Sequence, residues 1–244
     1  SLAQRQAMAW AAQGEKAYVA GDLERSGRCY EQALRINTAI ENAHGIASDT
    51  LSLGQIHIDR GEYELAGTML QPVLDDRGRL FGAGDKAGAA ARLAQLALRQ
   101  NQPDRAKQLA QQAEALCREP DCSLAASILN LRAQADLASG RLDEAMEGAR
   151  HAAGVADKQP VELANAHRLQ GQILLRRPSA MEAVQQFEQA LALDKQLGLP
   201  GKIAEDLRGL AEAKEAQGQG QHGEAEALRE RERAVRKALE VRGR

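Results

Sequence analysis

The sequence predicts an all-α protein, a solenoid of about six antiparallel helix-turn-helix repeats, and three observations carry that reading. First, the stretch Trp10 to Ile36 divides into two amphipathic helices. Trp10, Gly14 and Tyr18 fall at four-residue steps on one face, Gly21-Asp22 breaks the helix, and Ser26, Tyr30, Ala33 and Leu34 stripe its partner. Second, the pattern recurs. Gly14 returns as Gly54, Ala94, Ala133 and Gly171; Gly21 as Gly61, Asn101, Gly140 and Pro178; Ser26 as Ala66, Ala106, Ala145 and Ala183. Tyr30 returns as Leu70, Ala110, Ala149 and Phe187, and Ala33 as Val73, Ala113, Ala152 and Ala190. Every column steps by 40, 40, 39 and 38 residues, a shared drift that chance does not produce. Third, no stretch alternates apolar and polar residues as a strand would, and Pro occurs only at or beside the breaks.

Taken in order, the repeats fall at about 1–37, 38–84, 85–120, 121–158, 159–200 and 201–244, forming a single solenoid over residues 1–244. Residues 1–20 and 22–36 make the first hairpin. Thr38–Arg60 and Glu62–Leu74 make the second. A loosened connection from Asp75 to Asp85 follows, the least regular in the chain, with Phe81 expected to be exposed. Its Gly-Ala-Gly-Asp-Lys-Ala-Gly segment (82–88) lacks the glycine spacing, the Gly-Lys-Ser/Thr ending and the preceding strand of a phosphate loop. Residues 86–100 and 103–118 follow, with Pro103 at a helix start, where its missing N–H costs nothing. Ser123–Ser139 pairs with Leu142–Ala156, and Val161–Arg177 with Ser179–Leu197. Gly198-Leu199-Pro200-Gly201 ends the fifth unit. The sixth is degenerate: Lys202–Gln217, an expanded Gly/Gln-rich turn, then Glu224–Val241 with Leu228, Val235 and Leu239 on a narrow seam. One apolar side and one soluble side suit a capping helix. The seam is too short to favour a coiled-coil dimer, so a monomer or a weak homodimer is expected.

This pattern resembles the tetratricopeptide repeat, a helical hairpin with Trp early in its first helix, a small residue four positions later and another opening the second helix. Gly21-Asp22-Leu23, Gly61-Glu62-Tyr63 and Gly140-Arg141-Leu142 match the family's turn. The period exceeds the usual value of about 34 residues, as in the long-helix branch of the family. The resemblance implies a right-handed superhelix whose first helices line a concave face that binds an extended peptide or a partner helix.

On that face, the position after the Gly14 column holds Glu15, Gln55, Gln95, Gln134 and Gln172. A ladder of amides, each with donors and an acceptor, can satisfy a peptide backbone without reading its sequence; solvated helix-forming glutamines are the alternative. Three residues further lie Tyr18, Ile58, Leu98, Leu137 and Leu175, as groove floor or as interhelix core. Arg92, Arg99, Arg168 and Arg176 project from the third and fifth first-helices in or near the same face. Their forks suit a carboxylate, with ordinary surface arginines as the alternative. The family's carboxylate clamp is not matched: its columns hold Ala11 and Glu15, Leu51 and Gln55, Gly88 and Arg92, and only Arg92 fits.

Composition narrows the function further. With 32 basic and 34 acidic residues the net charge is −2, against the basic stripe that nucleic acid requires. No apolar run is long enough to span a membrane. His44, His57, His151, His167 and His222 are scattered without paired-ligand spacing, and no nucleophile elbow stands out. No metal, no cofactor and no catalytic residue is therefore expected. The chain opens on Ser1 with no initiating Met and no signal-like segment, which reads as a processed form or an excised domain. Cys29 is expected to be a small buried apolar residue. Cys117 and Cys122 bracket Arg-Glu-Pro-Asp, a turn able to bring them within disulfide reach; two separate thiols are the alternative. A bridge would favour the cell envelope or periplasm, free thiols the cytoplasm. The expected function is a non-enzymatic scaffold for a protein or peptide partner. The alternative is the sensor or regulatory arm of a larger signalling or transcription-regulating protein that binds a small effector.

Overall fold

The computed structural model describes residues 1–117 and 122–242. Among the described residues there are twelve α-helices and no strand. The chain divides into two compact units, Ser1–Leu124 and Ala125–Arg244. The first contains α1 (Leu2–Val19), α2 (Leu23–Ala39), α3 (Ala43–Asp59), α4 (Tyr63–Asp75), α5 (Ala83–Arg99) and α6 (Pro103–Leu116). The second contains α7 (Ala125–Ala138), α8 (Leu142–Val155), α9 (Pro160–Arg176), α10 (Ala180–Leu197), α11 (Pro200–Ala216) and α12 (His222–Arg242). Within each unit consecutive helices pack as neighbours, and first helices of successive hairpins also touch, α3 on α5 and α7 on α9.

The recurrent break works by one backbone device. Gly21, Gly61 and Gly140 sit at φ 82°, 76° and 75°, and Asn101 takes the same left-handed place at φ 57°. The next residue's N–H then reaches back to a carbonyl five residues earlier: Asp22 to Ala17 (2.9 Å), Glu62 to His57 (2.8 Å), Gln102 to Ala97 (2.8 Å) and Arg141 to Asp136 (2.8 Å). Pro178 cannot take the left-handed conformation, although the Ser179 N–H still reaches back to the Leu174 carbonyl at 3.2 Å. Arg177 is instead extended, as a residue before proline prefers. Starts are marked as well. Asp22 accepts the Arg25 N–H at 3.0 Å, and Pro103, Pro160 and Pro200 open their helices.

The core of each hairpin follows from volume compensation across two columns. A Cβ at Gly14 would lie 2.9 Å from the Tyr30 ring, one at Gly54 2.6 Å from Leu70 Cδ2, and one at Gly171 2.8 Å from Phe187. A bulky residue on the second helix therefore requires no side chain on the first. Where the second-helix column shrinks to Ala110 and Ala149, the first-helix column carries Ala94 and Ala133, all four fully buried. The Ser26 hydroxyl adds a buried hydrogen bond to the Gly14 carbonyl at 2.8 Å.

Two expectations need correction. The second hairpin does not open at Thr38: nothing there breaks a helix, so α2 continues to Ala39. Glu41 turns left-handed (φ 54°), and Asn42 caps α3. The connection after α4 is also tighter than its composition suggested. The carboxylate of Asp76, 6% exposed, accepts from the Leu80 and Phe81 amides (2.8 and 3.0 Å) and from Lys86 Nζ (3.1 Å). Burial works against that charge, yet these donors outweigh it and hold the carboxyl below its usual range. Phe81 is consequently half-buried, and Leu80 is the exposed apolar residue. Cys29 is free and buried. Cys117 and Cys122 are bridged, with Cα atoms 5.7 Å apart; the turn expected between them, Arg118 to Asp121, lies outside the described residues.

Candidate functional site

In the first unit, α1, α3 and α5 present the C-terminal parts of one face to one another, because residues one repeat apart occupy equivalent places on adjacent first helices. Asp59 on α3 is the hub. Its Oδ2 accepts from the Tyr18 hydroxyl of α1 at 2.6 Å. Its Oδ1 accepts from Gln55 Nε2, one turn earlier on α3, at 3.1 Å, and from Arg99 Nη2 of α5 at 3.4 Å. Glu15 extends the strip along α1, accepting from the Tyr30 hydroxyl at 3.0 Å.

The electrostatics agree with this geometry. The Tyr18 phenol is pushed well above its ordinary value by burial first, then by the Asp59 carboxylate, with Arg92 pulling the other way. Arg92 on α5 thus acts on a side chain of α1. The Tyr30 phenol is pushed up to about 12, chiefly by burial, with Glu15 adding to the rise and a hydrogen bond from Ser52 opposing it. At neutral pH both tyrosines are donors. Asp59 and Glu15 accept from them, and Arg92 and Arg99 lie along the margin. Asp59 is 20% exposed and Arg99 49% in their side chains, so the strip grades from buried to open.

The residues expected to form the ligand face divide unevenly. Gln55 is buried at 7% exposure, and its Oε1 has no partner. Arg92 and Gln95 are half-buried and Arg99 is exposed, all on α5. In the second unit, Gln134 on α7 and Gln172 on α9 are half-buried and Arg176 is exposed. Arg168 is the correction. It is 5% exposed and each guanidinium nitrogen already donates, Nε to Asp206 Oδ1 (2.6 Å), Nη2 to Asp194 Oδ2 and Nη1 to Asn165 Oδ1 (2.7 Å). It has no fork to offer a ligand. The column of Tyr18, Ile58, Leu98, Leu137 and Leu175 is also mixed, with Ile58 in the core and the others half-buried.

Sequence reasoning missed Asp59 altogether. The signal was present as opposite charges one period apart, Asp59 and Arg99, separated by 40 residues. On stacked first helices such a separation means adjacency.

Comparison with protein-family models finds no match, and no curated protein sequence matches either. Solved structures do. The chain is similar to BtubC (BKLC) from P. vanneervenii, with a TM-score of 0.61 at 19% identity, covering 98% of this chain and 93% of that one. It is similar to a Rap protein solved in complex with Competence and Sporulation Factor, with a TM-score of 0.77 at 17% identity, covering 98% of this chain and 66% of that one. A putative kinesin light chain from Podosopora anserina with nearly identical TPR-like repeats aligns at a TM-score of 0.53 and 22% identity, covering 78% of this chain and 94% of that one. The fold is that of tetratricopeptide-like helical repeats.

Proposed function

We propose that this protein is a non-enzymatic interaction scaffold whose first unit takes an extended peptide, or an extended segment of a partner protein, along the face shared by α1, α3 and α5. The observation that carries this reading is the Asp59 hub. Three helices are tied together by hydrogen bonds on the face that also carries Arg92, Gln95 and Arg99. A face fixed in advance loses little conformational freedom on binding, which leaves more of the contact free energy as affinity. Amides along it match the donor and acceptor rhythm of a peptide backbone, and arginines add a preference for carboxylates. The likeness to a Rap protein complexed with Competence and Sporulation Factor supports a ligand-binding role for an array of this fold.

The test is selection of a random-peptide display library on the full chain, followed by titration of the recovered peptides. Gln95→Ala and Arg92→Ala are expected to weaken binding at least several-fold while the melting transition stays near that of the parent. Peptides that bind both variants as tightly as the parent place the ligand face elsewhere.

A further inference from the structure

The second unit buries more carboxylate than it neutralises. Asp194 on α10 and Asp206 on α11 are 1% and 0% exposed, and Arg168 on α9 lies between them. One cation faces two carboxylates, which leaves an excess negative charge where water does not reach. The neighbouring charged groups do not correct the imbalance. Glu205 of α11, 3.7 Å from Arg168 Nε, is itself acidic, and the Nζ of Lys202 is turned to Glu205 at 3.4 Å. Glu162 of α9 is engaged by Asn165 and by Asn130 of α7. Asp206 Oδ2 is buried with no donor of its own, although its carboxyl faces that of Asp194. An isolated buried charge is among the costliest arrangements a core can hold, and two carboxyls sharing one proton remove it.

We propose that Asp194 and Asp206 hold a single proton between them in the folded protein, making the junction of α9, α10 and α11 a latch that closes with proton uptake and weakens when that proton leaves. The proton cancels the excess charge and gives Asp206 Oδ2 a place in a carboxyl–carboxylate hydrogen bond. Arg168 then balances the one remaining negative charge.

The direction of the titration agrees. Burial raises the Asp206 carboxyl to about 7, against the lowering by Arg168 and with the Asp194 carboxyl adding to the rise. In the unfolded chain the same group titrates near 3.8. Because the folded value is the higher one, folding takes up a proton between the two. The stabilisation is complete below the unfolded value and is lost as pH rises through about 7. Carboxylates whose folded values are lowered by a partner, such as Glu62, Glu215 and Glu226, behave in the opposite sense.

The experiment uses the full chain. Urea unfolding of the parent and of Asp206→Asn is followed from about pH 5 to about pH 8, and the parent's folding constant is expected to fall relative to the variant's by up to about tenfold per pH unit below neutrality. Taking the ratio removes the histidines, which titrate in both proteins. In parallel, the carboxyl-carbon NMR resonances of Asp194 and Asp206 are titrated in the parent, where one transition near neutral pH is expected. This measurement needs no variant and decides the matter should Asp206→Asn fail to fold. A ratio independent of pH, or both resonances titrating in the ordinary carboxylate range, overturns the proposal.

Discussion

Both units tie their first helices together with polar side chains, yet they do so in different surroundings. In the first, Tyr18, Asp59 and Arg99 link α1, α3 and α5 near the helix C-termini, and the linkage is partly open, with Arg99 49% exposed. In the second, Asn130 of α7 donates to Glu162 of α9, and Arg168 of α9 bonds Asp206 of α11, with Arg168 and Asp206 at 6% and 0% side-chain exposure. The register logic is shared, because Arg168 and Asp206 are 38 residues apart, the local period. What differs is water. An ion pair at a margin contributes little to stability and remains available to a partner, whereas one in a core leaves an unpaired buried charge if either member is lost.

The contrast predicts a ranking of stability losses. Arg168→Ala leaves the buried Asp194–Asp206 pair without its cation and should cost about 3–5 kcal/mol in urea unfolding, the largest effect expected. A loss below about 1 kcal/mol would mean that the second unit's network is no more structural than the first's. Gly54→Leu comes next. A Cβ there already meets Leu70 Cδ2 at 2.6 Å, and overpacking of this kind costs about 1–3 kcal/mol. A variant melting like its parent would show that α3 and α4 do not need that close approach. Arg99→Ala should be smallest, under about 1 kcal/mol, because Asp59 keeps Tyr18 and Gln55 as donors. The same substitution should reduce the affinity of display-selected peptides. A stability loss comparable to that of Arg168→Ala would erase the distinction between the units, and unchanged peptide binding would remove Arg99 from the ligand face.

Much of the candidate face was legible because helix periodicity and repeat period together give an address to each side chain. Gln55 and Gln95 follow from counting one place past the Gly14 column, and Arg92 and Arg99 from their place on the third first-helix. The same counting did not reveal which addresses are dry. Gln55 and Gln95 share a column, yet Gln55 is buried and Gln95 half-buried, because Gln55 turns its amide to Asp59. Arg168 read as a surface fork for a similar reason. Its carboxylate partners lie 26 and 38 residues away, and only the second of these separations matches a repeat.

By itself the sequence determined the hairpins, their breaks and the pairing of small with large columns. Each of these is enforced within one turn or one hairpin, by a left-handed glycine, a cap, or a missing Cβ opposite Tyr30, Leu70 or Phe187. Only the tertiary structure decided the environment of each charge. Whether Asp59 meets solvent and Asp206 does not depends on how three helices close over a side chain. No local pattern encodes that closure, since a carboxylate has the same helical address in water as in a core.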